Sequence, residues 1–390
     1  MSKTLQDYAT LINDTIQSNE INHYITTDNM CQNLGGIDTF KNINIPQGKV
    51  RSFQKDDVLL SNIRLYFRKV YRAKQKGGCS SDVLVFRAKH IDSATLFAIL
   101  SSQIFTDYAC SGSQGSKMPR DNKTHMMDFK IPTINFTIAK IFNSIQNKIE
   151  NNHKINELLH KILELLYEQY FVRFDFLDEN NKPYQTSGGK MKFSKELNRL
   201  IPNDFEVKTL GELITWISGS QPPKSCHIYE HKEGYIRFIQ NRDYSSNDYI
   251  TYIPISKNNK ICYQYDIMID KYGEAGAVRF GLQGAYNVAL SKISVLNQSM
   301  QEYIRSYLNS KPIKKYLSNA CMASTRSSLN ENHIYSLMLP IPPINLLQKY
   351  EKIAKNIITA IIKNNQSTQT LTALRDFLLP LLLKQQVKPK

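Results

Sequence analysis

Apolar residues recur every three or four positions along two long stretches of the chain, residues 134–170 and 344–385. This spacing predicts a helix with one apolar face. At 1.5 Å per residue each stretch would form a rod of roughly 50 Å, which is too long and too one-sided to pack inside a small domain. Each helix therefore needs an apolar partner along its length, and the other helix offers one. The apolar faces are formed by Ile138, Ile141, Phe142, Ile145, Ile149, Ile155, Leu159, Ile162 and Leu166, and by Ile353, Ile357, Ile361, Leu371, Leu374, Leu378 and Leu381.

The two stretches follow one pattern. Ile138-Ala139-Lys140 recurs as Ile353-Ala354-Lys355, and a proline-containing entry precedes each helix, Ile131-Pro132 in the first and Ile341-Pro342 in the second. Proline ends the preceding element and is accepted at a helix start. A repeat at an offset of about 210 residues in a chain of 390 indicates two similar halves.

The segments before the helices also repeat. Thr209-Leu210-Gly211-Glu212 matches Thr4-Leu5-Gln6-Asp7, and residues 265–270 match 56–61. The residues between these strings differ, as expected for two copies of one scaffold with different surfaces. In the first half, the pattern predicts short helices over 5–16 and 95–106 and strands over 57–61 and 82–86.

Bulk composition is that of a folded protein of two or three domains, with 41% hydrophobic and 22% charged residues. No apolar run approaches the length of a membrane span and the chain begins with polar sequence, so we expect neither a membrane segment nor a secretory signal, and a cytoplasmic location. The six cysteines contain no CxxC pair, which favours reduced thiols. Cys226, His227 and His231 form at most a partial metal site, because no second Cys/His pair lies at ligand spacing.

The net charge of +16 favours a polyanionic partner. A lysine-rich composition produces the same charge without any such partner. The aromatic content, 22 Tyr and 17 Phe, favours nucleic acid, because aromatic residues alternate with cations in runs such as 66–72. Mixed basic and aromatic surfaces suit phosphate contact and base stacking.

The order and duplication of these segments resemble the specificity (S) subunit of type I restriction-modification systems, over essentially the whole chain. The second helix entry has Pro343 where the first has Thr133, and Gln348 has no clear counterpart in the first copy, so helix phase differs locally between the halves. The matching segments are residues 24–30, 57–61, 115–120, 131–132 and 170–176 in the first half, and 210–212, 218–219, 222–223, 234–237, 265–269, 339–343 and 374–380 in the second.

The resemblance implies an α/β (α+β) fold. Two similar mixed α/β target-recognition domains would be separated by two long helices that pair as an antiparallel coiled coil, with a pseudo-twofold internal repeat. The implied boundaries are 1–130 for the first target-recognition domain, 131–172 for the first long helix, 173–202 for a connector, 203–339 for the second target-recognition domain and 340–385 for the second long helix.

The resemblance also implies a DNA-recognition subunit that is not itself an enzyme. Its partners would be double-stranded DNA, two modification (methyltransferase) subunits per chain and restriction subunits. The chain itself would hold no cofactor: S-adenosylmethionine, ATP and Mg²⁺ would be bound by those partners. In agreement, the two Pro-Pro pairs, 222–223 and 342–343, lack the Asp/Asn-Pro-Pro-aromatic context of an adenine methyltransferase.

Two other functions fit parts of the sequence. A coiled-coil scaffold protein without sequence-specific DNA contact would explain the long helices but not the duplicated basic halves. An RNA-binding module is compatible with the aromatic content.

The candidate DNA-binding residues are basic or amide-bearing and are expected on loops. For each of them the alternative interpretation is a solvated surface charge that contacts no DNA. Gly273, Gly276, Gly281 and Gly284 favour the tight turns of a hairpin over a phosphate cradle, because no P-loop Lys-Ser/Thr ending follows them. The candidates are Arg68, Arg72, Lys74, Lys117 and Arg120 in the first half, and Arg237, Gln240, Asn241, Arg242, Lys271, Arg279 and Arg326 in the second.

Overall fold

The computed structural model describes residues 3–39, 41, 43–114, 120–131, 134–245, 249–322 and 328–382. The chain forms two compact units. Unit 1 contains residues up to Ile155 and the second long helix from Asn364 onward, and unit 2 contains Asn156–Lys363. Among the described residues, no helix is long and apolar enough to cross a membrane.

Unit 1 contains two four-stranded sheets built from short strands. The first sheet has the order β1-β8-β5-β6 and is antiparallel throughout, and the second has the order β2-β4-β7-β3 with β3 parallel to β7. The strands of unit 1 are β1 (Ala9–Ile12), β2 (Thr15–Gln17), β3 (Tyr24–Ile25), β4 (Lys49–Phe53), β5 (Val58–Ser61), β6 (Val70–Arg72), β7 (Gly77–Cys79), β8 (Val83–Ala88), β9 (Ser113–Gln114) and β10 (Arg120–Asp121). Its short helices are α1 (Leu5–Tyr8), α2 (Ser93–Leu100), α3 (Gln103–Ser111) and α4 (Lys123–Met127).

Unit 2 repeats this plan. Its first sheet, β14-β21-β18-β19, is again antiparallel, and its second has the order β16-β15-β20-β17. The strands of unit 2 are β11 (Met191–Ser194), β12 (Arg199–Pro202), β13 (Glu206–Thr209), β14 (Ile214–Ser218), β15 (Tyr235–Ile239), β16 (Thr251–Pro254), β17 (Ile261–Cys262), β18 (Ile267–Asp270), β19 (Val278–Arg279), β20 (Gly284–Tyr286), β21 (Leu290–Val295) and β22 (Met338–Ile341). Its short helices are α6 (Gln301–Asn309), α7 (Lys311–Met322) and α8 (Glu331–Tyr335).

The second sheets of the two units share three strands and differ in the fourth. In each, a central strand, β7 or β20, has a parallel neighbour on one side, β3 or β15, and an antiparallel neighbour on the other, β4 or β17. The extra strand is added to the antiparallel edge in unit 1, as β2 next to β4, and to the parallel edge in unit 2, as β16 next to β15. The repeat inferred from sequence is therefore present in the strand order, and the departures from it lie at sheet edges.

The two long helices are α5 (Phe136–Tyr167), which continues as a π-helical turn over Glu168–Val172, and α9 (Ile344–Leu382). Both helices contribute residues to both units. In unit 1 the Gln146 side chain of α5 contacts Arg375 of α9, and Asn152, further along α5, contacts Thr368, which comes earlier in α9. The helices are therefore antiparallel there, which confirms the predicted antiparallel pairing. In unit 2 the ring of Phe171 lies 4.8 Å from that of Tyr350, centroid to centroid.

Two of the short-element predictions were wrong in detail. The helix predicted over 5–16 ends at Tyr8, and Ala9–Ile12 forms β1, because this segment pairs along β8 with Ala9 and Ile12 buried. Tertiary pairing thus overrides the local helical pattern. The helix predicted over 95–106 is two helices, α2 and α3, because Ser102 accepts a hydrogen bond from the Phe105 N–H (3.2 Å) and caps a new helix. The predicted connector contains the hairpin β11–β12.

The core of unit 2 encloses a group of buried polar side chains beside α9. Glu302 and Arg305 of α6 are both almost fully buried, and Arg305 Nε donates to Glu302 Oε2 at 2.7 Å. The Glu302 backbone N–H donates to the carboxylate of Glu351, at 2.8 Å. Burial raises the pKa of Glu351 to about 7, an effect that the hydrogen bond from Glu302 opposes.

This raised pKa predicts a pH-dependent stability. An unfolded glutamate has a pKa near 4.5. Between that pH and about 7, the Glu351 carboxyl therefore keeps its proton in the folded chain and has lost it in the unfolded chain. Protonated Glu351 therefore adds to the free energy of unfolding at the acidic end of this range, and this contribution is lost as the pH rises through the folded pKa. Melting curves from about pH 5 to about pH 8 should show this slope in the wild type and a weaker slope in Glu351→Gln.

The exposed loop residue Glu233 supplies the control. Glu233→Gln should keep the wild-type pH dependence. An unchanged slope in Glu351→Gln would show that Glu351 does not retain its proton in the folded chain.

Candidate nucleic-acid interface

Two loops of unit 2 meet and bring several candidate residues together. The first is the 3₁₀ turn Asn241–Tyr244, which follows β15, and the second is the loop that follows β18 and contains Lys271 and Tyr272. The Asn241 side-chain amide donates to the backbone carbonyl of Tyr272 at 3.1 Å and so joins the two loops. We refer to Gln240, Asn241, Arg242, Tyr249, Lys271 and Tyr272 as the second-unit loop cluster.

The second-unit loop cluster exposes cations next to aromatic rings. The Arg242 guanidinium lies 5.7 Å from the centroid of the Tyr249 ring, and Lys271 Nζ lies 5.9 Å from that of Tyr272. Tyr249 is 67% exposed and the Arg242 side chain 53% exposed, so both are accessible to a ligand. Cations that contact phosphates and rings that contact bases or sugars are the groups that a nucleic-acid surface requires.

Buried carboxylates accept hydrogen bonds from residues in and next to these loops. The Gln240 N–H donates to Asp243 Oδ2 at 2.9 Å, and burial raises the pKa of Asp243. Asp270, at the end of β18, is fully buried and accepts from Arg279 Nη2 at 3.0 Å. Burial likewise raises the pKa of Asp270, and the hydrogen bond from Arg279 partly offsets that effect. These hydrogen bonds to buried groups fix the conformation of the two loops.

The remaining second-half candidates lie next to the cluster. Arg237 is half-buried in β15, and Arg279 is 23% exposed in β19. Gly284 lies so close to β15 that an added Cβ would come 2.4 Å from the Arg237 carbonyl oxygen. Gly273 and Gly276 both have positive φ in the turn between β18 and β19, which agrees with the predicted hairpin. Arg326 lies outside the described residues.

The described candidates of the first half bind within their own unit. The Arg68 side chain is 14% exposed; its Nη2 donates to the Ser101 carbonyl at 3.0 Å and lies 3.7 Å from Asp376, and burial lowers its pKa. Lys74 Nζ donates to Asn147 of α5 at 2.7 Å.

Arg72 is similarly placed, 16% exposed and 3.8 Å from Asp56. Arg120 belongs to β10, where its backbone pairs with Gln114, and its side chain is not among those described. Lys117 lies outside the described residues. A DNA contact by any of these five residues stays a prediction.

The strand order reveals a first-half surface that sequence reasoning missed. Since β3 corresponds to β15 and β5 to β18, the loops after β3 and β5 correspond to the second-unit loop cluster. The Thr26 N–H donates to Asn29 Oδ1 at 2.8 Å, the same three-residue contact that Gln240 makes with Asp243. These loops, with the segments that contact them, carry Lys41, Arg64, Tyr66 and Lys69, which we call the first-unit loop cluster.

The contacts of the first-unit loop cluster resemble those of its counterpart. Lys41 Nζ donates to the Asp28 carbonyl at 3.0 Å, and Lys69 Nζ donates to the Thr27 carbonyl. Tyr66 is 55% exposed, and the Arg64 guanidinium lies 6.0 Å from the Phe67 ring centroid. The mixed basic and aromatic run 66–72 contained the pattern, but only packing separates the exposed Tyr66 from the inward Arg68.

No group of three or more histidine, cysteine or acidic side chains within the described ranges is arranged to hold a metal ion.

Comparison with known proteins agrees with this architecture. Residues 202–373 match the family model described as the type I restriction modification DNA specificity domain. The chain is 24% identical over 300 residues to the MjaIX specificity subunit of Methanocaldococcus jannaschii, which covers 74% of this chain and 67% of that protein. The chain is thus similar to type I specificity subunits, and the family model matches its second half.

Two further relatives extend the comparison. The MjaVIII specificity subunit of the same organism is 22% identical over 179 residues, which cover 45% of this chain and 41% of that protein. The crystal structure of a type I restriction-modification S subunit from M. genitalium superposes with a TM-score of 0.63 at 15% identity, over 98% of this chain and 96% of that one. At that identity the superposition supports the fold.

Proposed function

We propose that this chain is a type I specificity subunit and that it binds a bipartite DNA site with one recognition domain on each half-site. The observation that carries the proposal is the duplicated fold in which both copies present a basic and aromatic loop cluster at matching positions. Residues 1–130 and 203–339 are the proposed recognition domains, 131–172 and 340–385 the proposed spacer helices, and 173–202 the connector.

The proposed roles of individual residues follow from their chemistry. Arg242 and Lys271 in unit 2, and Arg64 and Lys69 in unit 1, would hold phosphates. Amide side chains such as Asn241 would contact base edges, because a carboxamide both donates and accepts hydrogen bonds. Exposed tyrosines next to the cations would pack against sugars or against bases that leave the stack, as happens when a partner flips adenine for methylation.

The modification subunits are proposed to dock on the long helices. Leu158, Ile162 and Leu165 of α5 in unit 2 are 45–58% exposed although they recur at helical spacing. In unit 1, Leu374 and Phe377 of α9 are 45% and 69% exposed. An exposed apolar row of this kind marks a protein interface. Because each unit carries one, we propose two modification subunits per chain.

Catalysis would reside in those partners. The methyltransferase subunits would supply S-adenosylmethionine, and restriction subunits, where they join, would supply ATP with Mg²⁺. The specificity subunit contributes DNA recognition and is the non-catalytic component. We place the complex in the cytoplasm, together with its DNA. The measured mass of the purified complex would decide the number of modification subunits.

The test of this function is single-molecule methylation sequencing of DNA from cells that contain this chain and its methyltransferase partner, compared with cells that lack only this chain. We expect N6-methyladenine to disappear from one bipartite motif with a fixed internal gap. Unchanged methylation in the presence of an active partner would contradict the proposal and favour a scaffold role.

A further inference from the structure

A buried polar junction in unit 1 joins three segments of the chain. Arg375 of α9 is 1% exposed, although arginine is rarely buried without partners. Its Nη1 donates to Gln146 Oε1 of α5 at 3.1 Å and to the backbone carbonyl of Asn33 at 3.1 Å. The neighbouring Asp376 accepts from its Nε at 3.0 Å. One guanidinium thus connects both long helices and a loop of the first recognition domain.

Gln146 completes the junction from the other helix. It is also 1% exposed, and its Nε2 donates to the carbonyl of Leu34. Asn33 and Leu34 have φ of 52° and 60°, a left-handed conformation that costs free energy for a leucine. Their N–H groups bind the carbonyls of Phe67 and Arg68, at 2.9 and 3.1 Å. This conformation directs the consecutive carbonyls of Asn33 and Leu34 toward the two long helices.

A second polar contact lies further along the same pair of helices. Asn152 of α5 is 1% exposed, and its Nδ2 donates to Thr368 Oγ1 of α9 at 3.1 Å. Buried polar side chains in a helix pair lower stability but specify its register, because other alignments leave them unpaired. A slip of one heptad would place Arg375 opposite Ala139, which is fully buried, or opposite His153. Ala139 offers no acceptor to the guanidinium, and His153 Nδ1 already contacts the Gly35 carbonyl, 3.2 Å away, so either alignment would break the contacts seen here.

We propose that Gln146 and Arg375 set the register of the two long helices and fix the first recognition domain on them, and that this pair thereby determines which gap between half-sites is accepted. The inference rests on the proposed function, since it assigns positioning residues to the same DNA recognition. One base pair changes the separation of half-sites by about 3.4 Å, so a defined gap requires a helix pair that cannot slide.

The variant that tests this is Gln146→Leu combined with Arg375→Met. Removing Arg375 alone leaves the Gln146 amide oxygen and the Asn33 carbonyl without their donor, which can unfold the unit. In the double variant the Gln146 oxygen is lost together with its donor and no buried charge is orphaned, so the buried backbone groups that lose a donor are the carbonyls of Asn33 and Leu34. Its melting temperature is measured beside that of the wild type. Lys140→Met removes an exposed cation from the same helix and is the matched control.

The measurement is methylation sequencing in cells that contain the full chain and its partner. A slip of one heptad moves one helix along the other by about 10.5 Å, which is about three base pairs. We therefore expect the double variant to keep both half-sites but to methylate sites with about three base pairs more or fewer in the gap, raising their methylation relative to native sites by about tenfold. Lys140→Met should keep the single native gap.

Two other outcomes are informative. A double variant that melts like wild type and still methylates only the native gap would overturn the register role. Loss of the native motif by the double variant, with wild-type melting, would also overturn it, because the pair would then be needed for half-site binding. A wild type that methylates no bipartite motif would instead contradict the proposed function.

Discussion

Substituting Arg242 and Lys271 together by alanine should weaken binding at one half-site and leave binding at the other unchanged. Both side chains lie in the second-unit loop cluster, Arg242 against Tyr249 and Lys271 against Tyr272. Lys271 holds no buried carboxylate among the described contacts. Arg242 Nε lies 3.7 Å from the buried Asp243, but Asp243 keeps its hydrogen bond from the Gln240 N–H, so their loss should spare the fold. Two lost phosphate contacts at about 1.5–3 kcal/mol each predict roughly a hundredfold weaker binding or more.

The reciprocal variant serves as its control. Arg64→Ala with Lys69→Ala changes the matching loops of unit 1 and should affect the other half-site by a similar amount. Binding to duplexes in which one half-site is scrambled separates the two effects. If either double variant weakened both half-sites equally, the halves would not act as separate readers of DNA.

Inserting four residues into each long helix should widen the gap while both half-sites stay the same. The insertions would follow Ile155 in α5 and Asn365 in α9, close to where the residues of both helices pass from unit 1 to unit 2. Four residues lengthen a helix by about 6 Å and add slightly more than one turn, so the face that forms the pair is nearly preserved. At about 3.4 Å per base pair, the gap should grow by about two base pairs.

A four-residue insertion at Asn180 tests whether length alone matters. This exposed turn of the connector lies outside both long helices, and lengthening it should leave the gap unchanged. An unchanged gap in the helix variant would show that the helices do not measure the distance between half-sites.

The features predicted well are those that depend on regular patterns over many residues. The three-to-four spacing at Ile138 and Ile353 identified the long helices, and their duplication identified two halves. The capping strings recur as Thr4 with Asp7 and Thr209 with Glu212, each a hydrogen-bonded capping box. Such signals are local, and many residues contribute to each of them.

The candidate interface was predicted less completely, because exposure depends on packing. Arg242 and Lys271 lie on the exposed cluster, whereas Arg68 has the same side chain chemistry as Arg242 and packs against Ser101 and Asp376. Nothing in the sequence of the run 66–72 shows that Arg68 and Arg72 pack inward. The equivalence of the two loop clusters emerged only from the strand order.

The amino-acid sequence by itself determined the repeat, the two long helices, the absence of a methyltransferase motif and the family resemblance. Tertiary structure decided which cations face outward, that Ala9–Ile12 is a strand and that Gln146 meets Arg375. The physical reason is that periodicity and capping act within a few residues of the chain. Burial of Arg375 instead requires Asn33 and Gln146, which are far apart in sequence and adjacent only in the folded unit.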